Sequence, residues 1–208
     1  NFERIIDIKI EHFDELGDLC YKHLIIELMG KHSNIIFTDD NNIIIDSIKH
    51  ISALVSSVRE VLPNRPYFIP KQENKVCPLN IDLSCFTSLA QKSNTPTYKF
   101  LYTTFIGISP LIANEICFRA SIDSETYVNT LNPDIIRHLY NTFNRILEVI
   151  TSHKYTPCII YQDSEPLEYS SIDLTCYTKG KLQHYPTICE LLNTFYSEKA
   201  IINRIKQK

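Results

Sequence analysis

The run Phe105-Ile106-Gly107-Ile108-Ser109-Pro110-Leu111-Ile112-Ala113 has the spacing of a helix-hairpin-helix. In such a junction a glycine lets the backbone turn tightly, and the second helix offers a phosphate N–H groups that have no intrahelical acceptor. Gly107, Ile108 and Ser109 are therefore candidate phosphate-binding residues. Ser109 stands where a second hairpin glycine is usual, but serine is a good N-cap and Pro110 suits the first helical position. An ordinary capped turn between two helices is the competing account.

Two further stretches carry charge chemistry. In Glu27-Leu28-Met29-Gly30-Lys31-His32-Ser33-Asn34 a glycine turn sets Lys31 and His32 between two strands, a geometry suited to a phosphate or a loop base; a plain hairpin turn competes with it. From Ser47 to Lys75 the cations Lys49, Arg59, Arg65, Lys71 and Lys75 are opposed only by Glu60 and Glu73. Pro63, Pro66 and Pro70 exclude continuous helix or central strand there, so the segment reads as a basic, stiffened loop. Lys49, Arg59 and Arg65 are expected to attract nucleic-acid phosphates irrespective of base sequence.

Enzymatic chemistry is not indicated. The sequence holds no Ser/His/Asp ordering, no G-x-S-x-G, no Walker motif and no G-x-G-x-x-G. Its histidines are dispersed, none at metal-ligand spacing. We expect no catalytic residue, no metal and no cofactor, hence not an enzyme. The seven cysteines include no C-x-x-C pair, which points to reduced, buried thiols in the cytoplasm rather than a disulfide framework or zinc site. With a net charge of −3, attraction for nucleic acid has to be local. Twelve tyrosines and ten phenylalanines sit mostly at core periodicities, so a base-stacking platform is not indicated. Apolar runs such as Leu24 to Met29 fall well short of the ~20 residues a membrane span requires.

The elements that must position these residues are α+β. Phe2 to Ile10 alternates, with Phe2, Ile6, Ile8 and Ile10 on one face together with Arg4, and Glu3, Asp7 and Lys9 on the other. Leu19 to Leu28, Asn34 to Thr38 and Ile43 to Ile48 continue an antiparallel meander, whose open edges leave room for further upstream strands. The first residue is Asn1 rather than Met, and the expectation is a piece of a longer polypeptide. After Asp82 the period turns helical: Leu83 to Gln91, Tyr98 to Ile106, a helix opened by Ser109-Pro110, and a long amphipathic helix after Pro133 with Ile135, Leu139, Phe143, Ile146, Leu147 and Ile150 on one stripe. Strands are expected again at Cys158 to Gln162 and Ser171 to Thr178, and a final helix from about Ile188. The expected division is 1–82 β domain, 83–153 helical domain, 154–194 returning β segment with a connecting helix, and 195–208 the start of a coiled coil.

Asp14-Glu15-Leu16-Gly17-Asp18, Ile26 to Ile36, Ile45-Asp46-Ser47-Ile48-Lys49-His50-Ile51 and Val58-Arg59-Glu60-Val61-Leu62-Pro63 resemble, in order and spacing, the second half of the NFACT N-terminal domain. Gly107 to Ala113 is similar to the helix-hairpin-helix segment of the same family, and Ala200 to Lys208 to the entry into its coiled coil. This is the RqcH/NEMF family of ribosome quality control, formerly called fibronectin-binding protein A. The resemblance implies an antiparallel β domain similar to the N-domain of DNA glycosylases, with a helical helix-hairpin-helix bundle. It implies a cytoplasmic RNA-binding protein whose partners are tRNA, the rRNA and proteins of the large ribosomal subunit, and peptidyl-tRNA obstructing that subunit. The family recruits alanyl-tRNA in bacteria and adds C-terminal alanine without mRNA.

The family's Asp-Arg pair needed for tailing corresponds here to Glu3-Arg4, so tRNA-binding residues on this reading are Glu3, Arg4, Lys31 and His32. The alternatives are a surface adhesin binding fibronectin, or a glycosylase-like nucleic-acid-binding protein. A glycosylase needs an N-terminal nucleophile that this sequence does not contain.

Overall fold

The computed structural model describes residues 4–28, 32–55, 59–69 and 75–206. The chain divides into two compact units, Asn1–Asn74 and Lys75–Lys208. Their border falls ahead of the change to helical periodicity after Asp82, because the extended segment at Val76 is held by the helical unit: Val76 N donates to Thr104 O at 2.8 Å and Ile106 N to Val76 O at 3.0 Å.

The first unit is a four-stranded antiparallel meander in the order β1 (Ile5–Phe13), β2 (Leu19–Glu27), β3 (Asn34–Asp39), β4 (Ile44–Ser47). Its turns use local polar chemistry. Asp14 Oδ1 accepts the N–H groups of Leu16 and Asp18, both at 2.9 Å, and Gly17 takes φ +86°, a left-handed backbone that glycine adopts without penalty. At the β3–β4 turn Asp39 Oδ1 accepts from Asn41 N and Ile43 N at 3.0 and 2.8 Å.

Period-2 alternation holds in β1, but the covered face is the reverse of the expected one. Pairing Ile5 with Glu27 and Asp7 with Ile25 puts the β1 charges on the side where Ile25, Ile36, Ile44 and Val61 form a core. Loop residues Ile51, Val61 and Tyr67 close over that side. Ile6, Ile8 and Ile10 lie on the other face and are 49, 44 and 38 % exposed. Alternation identifies two faces; which one is buried depends on what crosses it.

The second unit packs α1 (Leu83–Lys92), α2 (Thr97–Thr104), α3 (Pro110–Arg119) and α4 (Pro133–Thr151) around phenylalanines. The Phe86 ring lies 5.6 Å from Phe100 and 5.7 Å from Phe105, and Phe105 lies 4.9 Å from Phe143. Side-chain caps fix three helix starts: Asp82 Oδ1 accepts Cys85 N, Ser109 Oγ accepts Ile112 N, and Asn132 Oδ1 accepts Ile135 N. A three-stranded sheet follows, β6 (Glu165–Ser170), β5 (Cys158–Gln162), β7 (Lys181–His184), with α5 (Ile188–Lys206) burying Leu191 and Phe195 against Ile159.

The strand expected at Ser171 to Thr178 is corrected. That segment is a loop, and β6 lies before it, joined to β5 through Asp163 and Ser164 at φ 51° and 64°, values that suit a tight two-residue hairpin. The loop is pinned by a side chain: the Thr175 and Cys176 N–H groups donate to Glu115 Oε2 at 2.8 and 2.9 Å, which removes them from any strand ladder.

Candidate nucleic-acid interface

In the helical unit the hairpin is built on the core. Phe105, Ile108 and Ala113 are buried, so the turn between α2 and α3 is anchored by apolar side chains on both sides of Gly107. Gly107 takes φ +79°, and Ser109 and Pro110 then open α3. Ser109 Oγ accepts Ile112 N at 3.2 Å, and Ser109 O accepts Ala113 N at 2.9 Å. Among the described residues, the N–H groups of Gly107 and Leu111 meet no acceptor, while Gly107 and Ser109 are exposed. Ile108 can reach a phosphate only through its backbone, since its side chain is core. Lys75, counted with the basic loop, instead donates through Nζ to Tyr102 O at 2.8 Å in the last turn of α2, where a cation complements the helix dipole.

In the β unit the expected cations have different fates. Arg59 is not a solvated phosphate contact. Its Nη2 lies 2.5 Å from Oε2 of the fully buried Glu27, and its Nη1 donates to Phe68 O at 2.9 Å. Tyr67 OH completes the cluster by donating to Glu27 Oε1 at 3.0 Å. Burial, then the Glu27 charge, push the Tyr67 hydroxyl pKa up, so it stays a donor. The period-2 count could have exposed this arrangement, because Glu27 falls on the same side of β2 as Ile25, and a carboxylate buried there has to find a cation.

Lys49 and Arg65 are exposed. The Lys49 backbone is braced by Asn34, whose Nδ2 donates to Lys49 O and whose Oδ1 accepts Lys49 N, both at 2.9 Å. Arg65 Nε pairs with Glu60 at 3.0 Å in a solvent-exposed bridge, which a phosphate can displace at small cost. Arg4 is exposed; Leu28 N donates to its carbonyl at 2.8 Å, so it continues the strand register on the side of Ile6. His32 is exposed. Glu3, Lys31 and Lys71 lie outside the described residues.

Sequence reasoning missed the Glu115 cluster. This carboxylate, fully buried, takes hydrogen bonds from Thr175 N and Oγ1, Cys176 N, and Arg119 Nε at 2.6 Å. Burial alone would raise its pKa, but the Thr175 and Arg119 hydrogen bonds outweigh it and hold the carboxyl below its ordinary value. Only the Glu115/Arg119 spacing of four was visible in the sequence. The expectation of buried thiols holds for Cys117 and Cys158, whereas Cys77, Cys85 and Cys189 are exposed. Among the described residues no group of three His, Cys, Asp or Glu side chains could hold a metal ion, and no helix is long and apolar enough to cross a membrane.

Residues 1–208 match the family described as NFACT N-terminal and middle domains. The chain belongs to the NFACT family. A relative called Rqc2 homolog RqcH, from Bacillus subtilis (strain 168), is 31% identical over 207 residues, 99% of this chain and 34% of that protein. The archaeal Rqc2 homolog aRqcH of Methanocaldococcus jannaschii is 27% identical over 215 residues, 100% of this chain and 30% of that protein. The NFACT chain described here therefore spans about a third of the length of the curated relatives it matches.

Among solved structures, the fibrinogen binding protein from Staphylococcus aureus superposes with a TM-score of 0.74 at 28% identity, over 93% of this chain and 66% of that one. The N-terminal part of the fibronectin/fibrinogen-binding protein from Streptococcus suis shares the fold, with a TM-score of 0.64 at 23% identity over 93% of this chain and 63% of that one.

Proposed function

We propose that this chain is the RNA-binding portion of a cytoplasmic ribosome-associated quality control protein, corresponding to the later part of the NFACT N-terminal domain and its helix-hairpin-helix region. In this role the whole protein binds a large ribosomal subunit obstructed by peptidyl-tRNA and recruits tRNA, alanyl-tRNA in bacteria, for C-terminal alanine tailing without mRNA. The observation that carries the reading is the match of all 208 residues to the NFACT family, with relatives named RqcH.

The physical chemistry is consistent with it. Peptide transfer on a ribosome is catalysed by RNA, so a tailing factor has to position tRNA and needs no nucleophile of its own. Positioning calls for cations and backbone N–H donors on a rigid support. The Gly107–Ser109 hairpin supplies N–H donors fixed to a phenylalanine core, while Arg4, His32, Lys49 and Arg65 supply exposed cationic or titratable side chains. Sedimentation of the complete polypeptide with free large subunits tests the reading. Co-migration with subunits carrying peptidyl-tRNA, abolished in high salt, is the expected result; a protein that stays at the top of the gradient with such subunits present overturns it.

The name of the Staphylococcus aureus structure favours one second reading, an adhesin for plasma proteins. Saturable binding of fibrinogen or fibronectin by the folded protein, with no RNA or subunit affinity, is the result that selects it.

A further inference from the structure

A cavity of about 570 Å³ opens in the helical unit between α3 and the residues around β6, within the range of ~300–1,000 Å³ that small-molecule sites occupy. Helix α3 contributes Leu111, Asn114 and Phe118; the turn after it contributes Ser124; β6 contributes Glu168 and the pinned loop Tyr177. Phe118 is 45% exposed although it lines a concave surface, and Tyr177 is half-buried. The Glu115 cluster holds this wall in place, since Thr175 and Cys176 immediately precede Tyr177 and are bonded to α3 through that carboxylate.

The polar lining sets the acceptors of Asn114 and Glu168 beside the hydroxyls of Ser124 and Tyr177. Asn114 Nδ2 gives one of its two N–H groups to Pro110 O at 3.0 Å, and among the described residues its carbonyl oxygen meets no donor. Glu168 Oε1 accepts the N–H of Tyr169 at 3.1 Å, and among the described residues no donor meets its other oxygen. Two aromatic rings, an aliphatic side chain and free acceptors suit a flat ligand with apolar faces and N–H donors along its edge. A phosphate or an acid is disfavoured beside the Glu168 carboxylate, and an aliphatic ligand would leave the acceptors without partners.

Resting on the RNA-binding reading above, we infer that this cavity receives one unstacked nucleobase of single-stranded RNA, and that it favours a base carrying an exocyclic amino group over uracil. Stacking on Phe118 and Tyr177 supplies affinity for any base, and the amino group donating to Glu168 supplies the preference. Carboxylates accept from such amino groups in base-edge recognition. The location fits the proposed contact to the backbone: Pro110 and Leu111, which line the cavity, directly follow the Gly107–Ser109 hairpin. A strand whose phosphate meets the hairpin N–H groups would hold the adjoining base at the cavity mouth.

Two measurements on the folded chain decide it. Titration with adenosine monophosphate, followed by amide resonances in nuclear magnetic resonance, is expected to shift Leu111, Phe118 and Tyr177; shifts confined to other parts of the molecule overturn the inference. In anisotropy measurements, single-stranded oligo(rA) is expected to bind at least about fivefold more tightly than oligo(rU), Phe118→Ala to weaken oligo(rA) about tenfold, and Glu168→Gln to bring the oligo(rA)/oligo(rU) ratio close to one. Melting temperatures of the two variants confirm that they fold. If oligomers bind but neither variant changes their affinity, the cavity inference is overturned and the RNA-binding reading stands. If the mononucleotide occupies the cavity while no RNA binds, the RNA-binding reading falls and the cavity remains a nucleotide site.

Discussion

Arg59 and Glu27 are joined across the β unit by an ion pair of 2.5 Å, the carboxylate fully buried and the guanidinium side chain only 9% exposed. Two charges at that depth are tolerable only together. Removing the arginine leaves Glu27 without its compensating charge, a loss of roughly 3–5 kcal/mol for a buried pair. Urea unfolding of Arg59→Ala should show a loss of that order, and Glu27→Leu combined with Arg59→Met should recover most of it. A single arginine deletion that unfolds at the wild-type midpoint would show the pair to be idle.

Lys49 and Arg65 make the contrasting case. Both side chains are exposed, and exposed ion pairs such as Arg65–Glu60 contribute at most ~1 kcal/mol each, so alanine at both positions is expected to leave the fold intact. In the Lys49→Ala, Arg65→Ala double variant the plot of log affinity for single-stranded RNA against log salt should flatten by about 0.7 for each phosphate that is no longer neutralised. An unchanged slope with an unchanged melting temperature would remove both residues from the interface.

The difference between these arginines marks what the sequence could tell. Local features were legible: Asp82, Ser109 and Asn132 cap the helices that follow them, and Asp14 with Gly17 makes a turn, because donor and acceptor lie within four residues of one another. Long-range commitments were not. Arg59 finds Glu27 across 32 positions and Glu115 finds Thr175 across 60; the strand period can mark Glu27 as buried, but no local pattern says which cation it takes. The same limit applies to β6, whose sequence carries a proline that only its place in the sheet accommodates. Pro166 lies beside the register shift between Ile160 and Tyr161, where a missing N–H is tolerated.

Glu115 provides a pH-dependent signature. Its folded-state pKa is held below the ordinary carboxylate value by the Thr175 and Arg119 hydrogen bonds, despite burial. The unfolded chain therefore binds this proton at higher pH than the folded one does, so the contribution is complete above the unfolded pKa and fades as pH falls through the folded value. Glu115→Gln should destabilise the protein by about 1–3 kcal/mol at pH 7, with the gap to wild type narrowing on acidification below about pH 4. Chemical denaturation at a series of pH values measures it, and a gap that stays constant down to about pH 3 contradicts the assignment.

Ser109 allows the hairpin's two roles to be separated. Its hydroxyl caps α3 by accepting Ile112 N at 3.2 Å, while the exposed turn in front of it carries the N–H groups proposed to meet a phosphate. Ser109→Ala removes the cap and should cost ~1 kcal/mol of stability while leaving the N–H groups in place. Ser109→Asp should do the opposite. Aspartate caps as well as serine and its charge suits a helix N-terminus, so the melting temperature should hold or rise. The same charge occupies the position offered to the phosphate, and RNA affinity should fall about tenfold in low salt, with the difference shrinking as ions screen the repulsion. If the aspartate variant binds RNA like wild type at low ionic strength, the hairpin is a structural turn alone, and phosphate recognition has to be sought on the β unit around Arg4, Lys49 and Arg65.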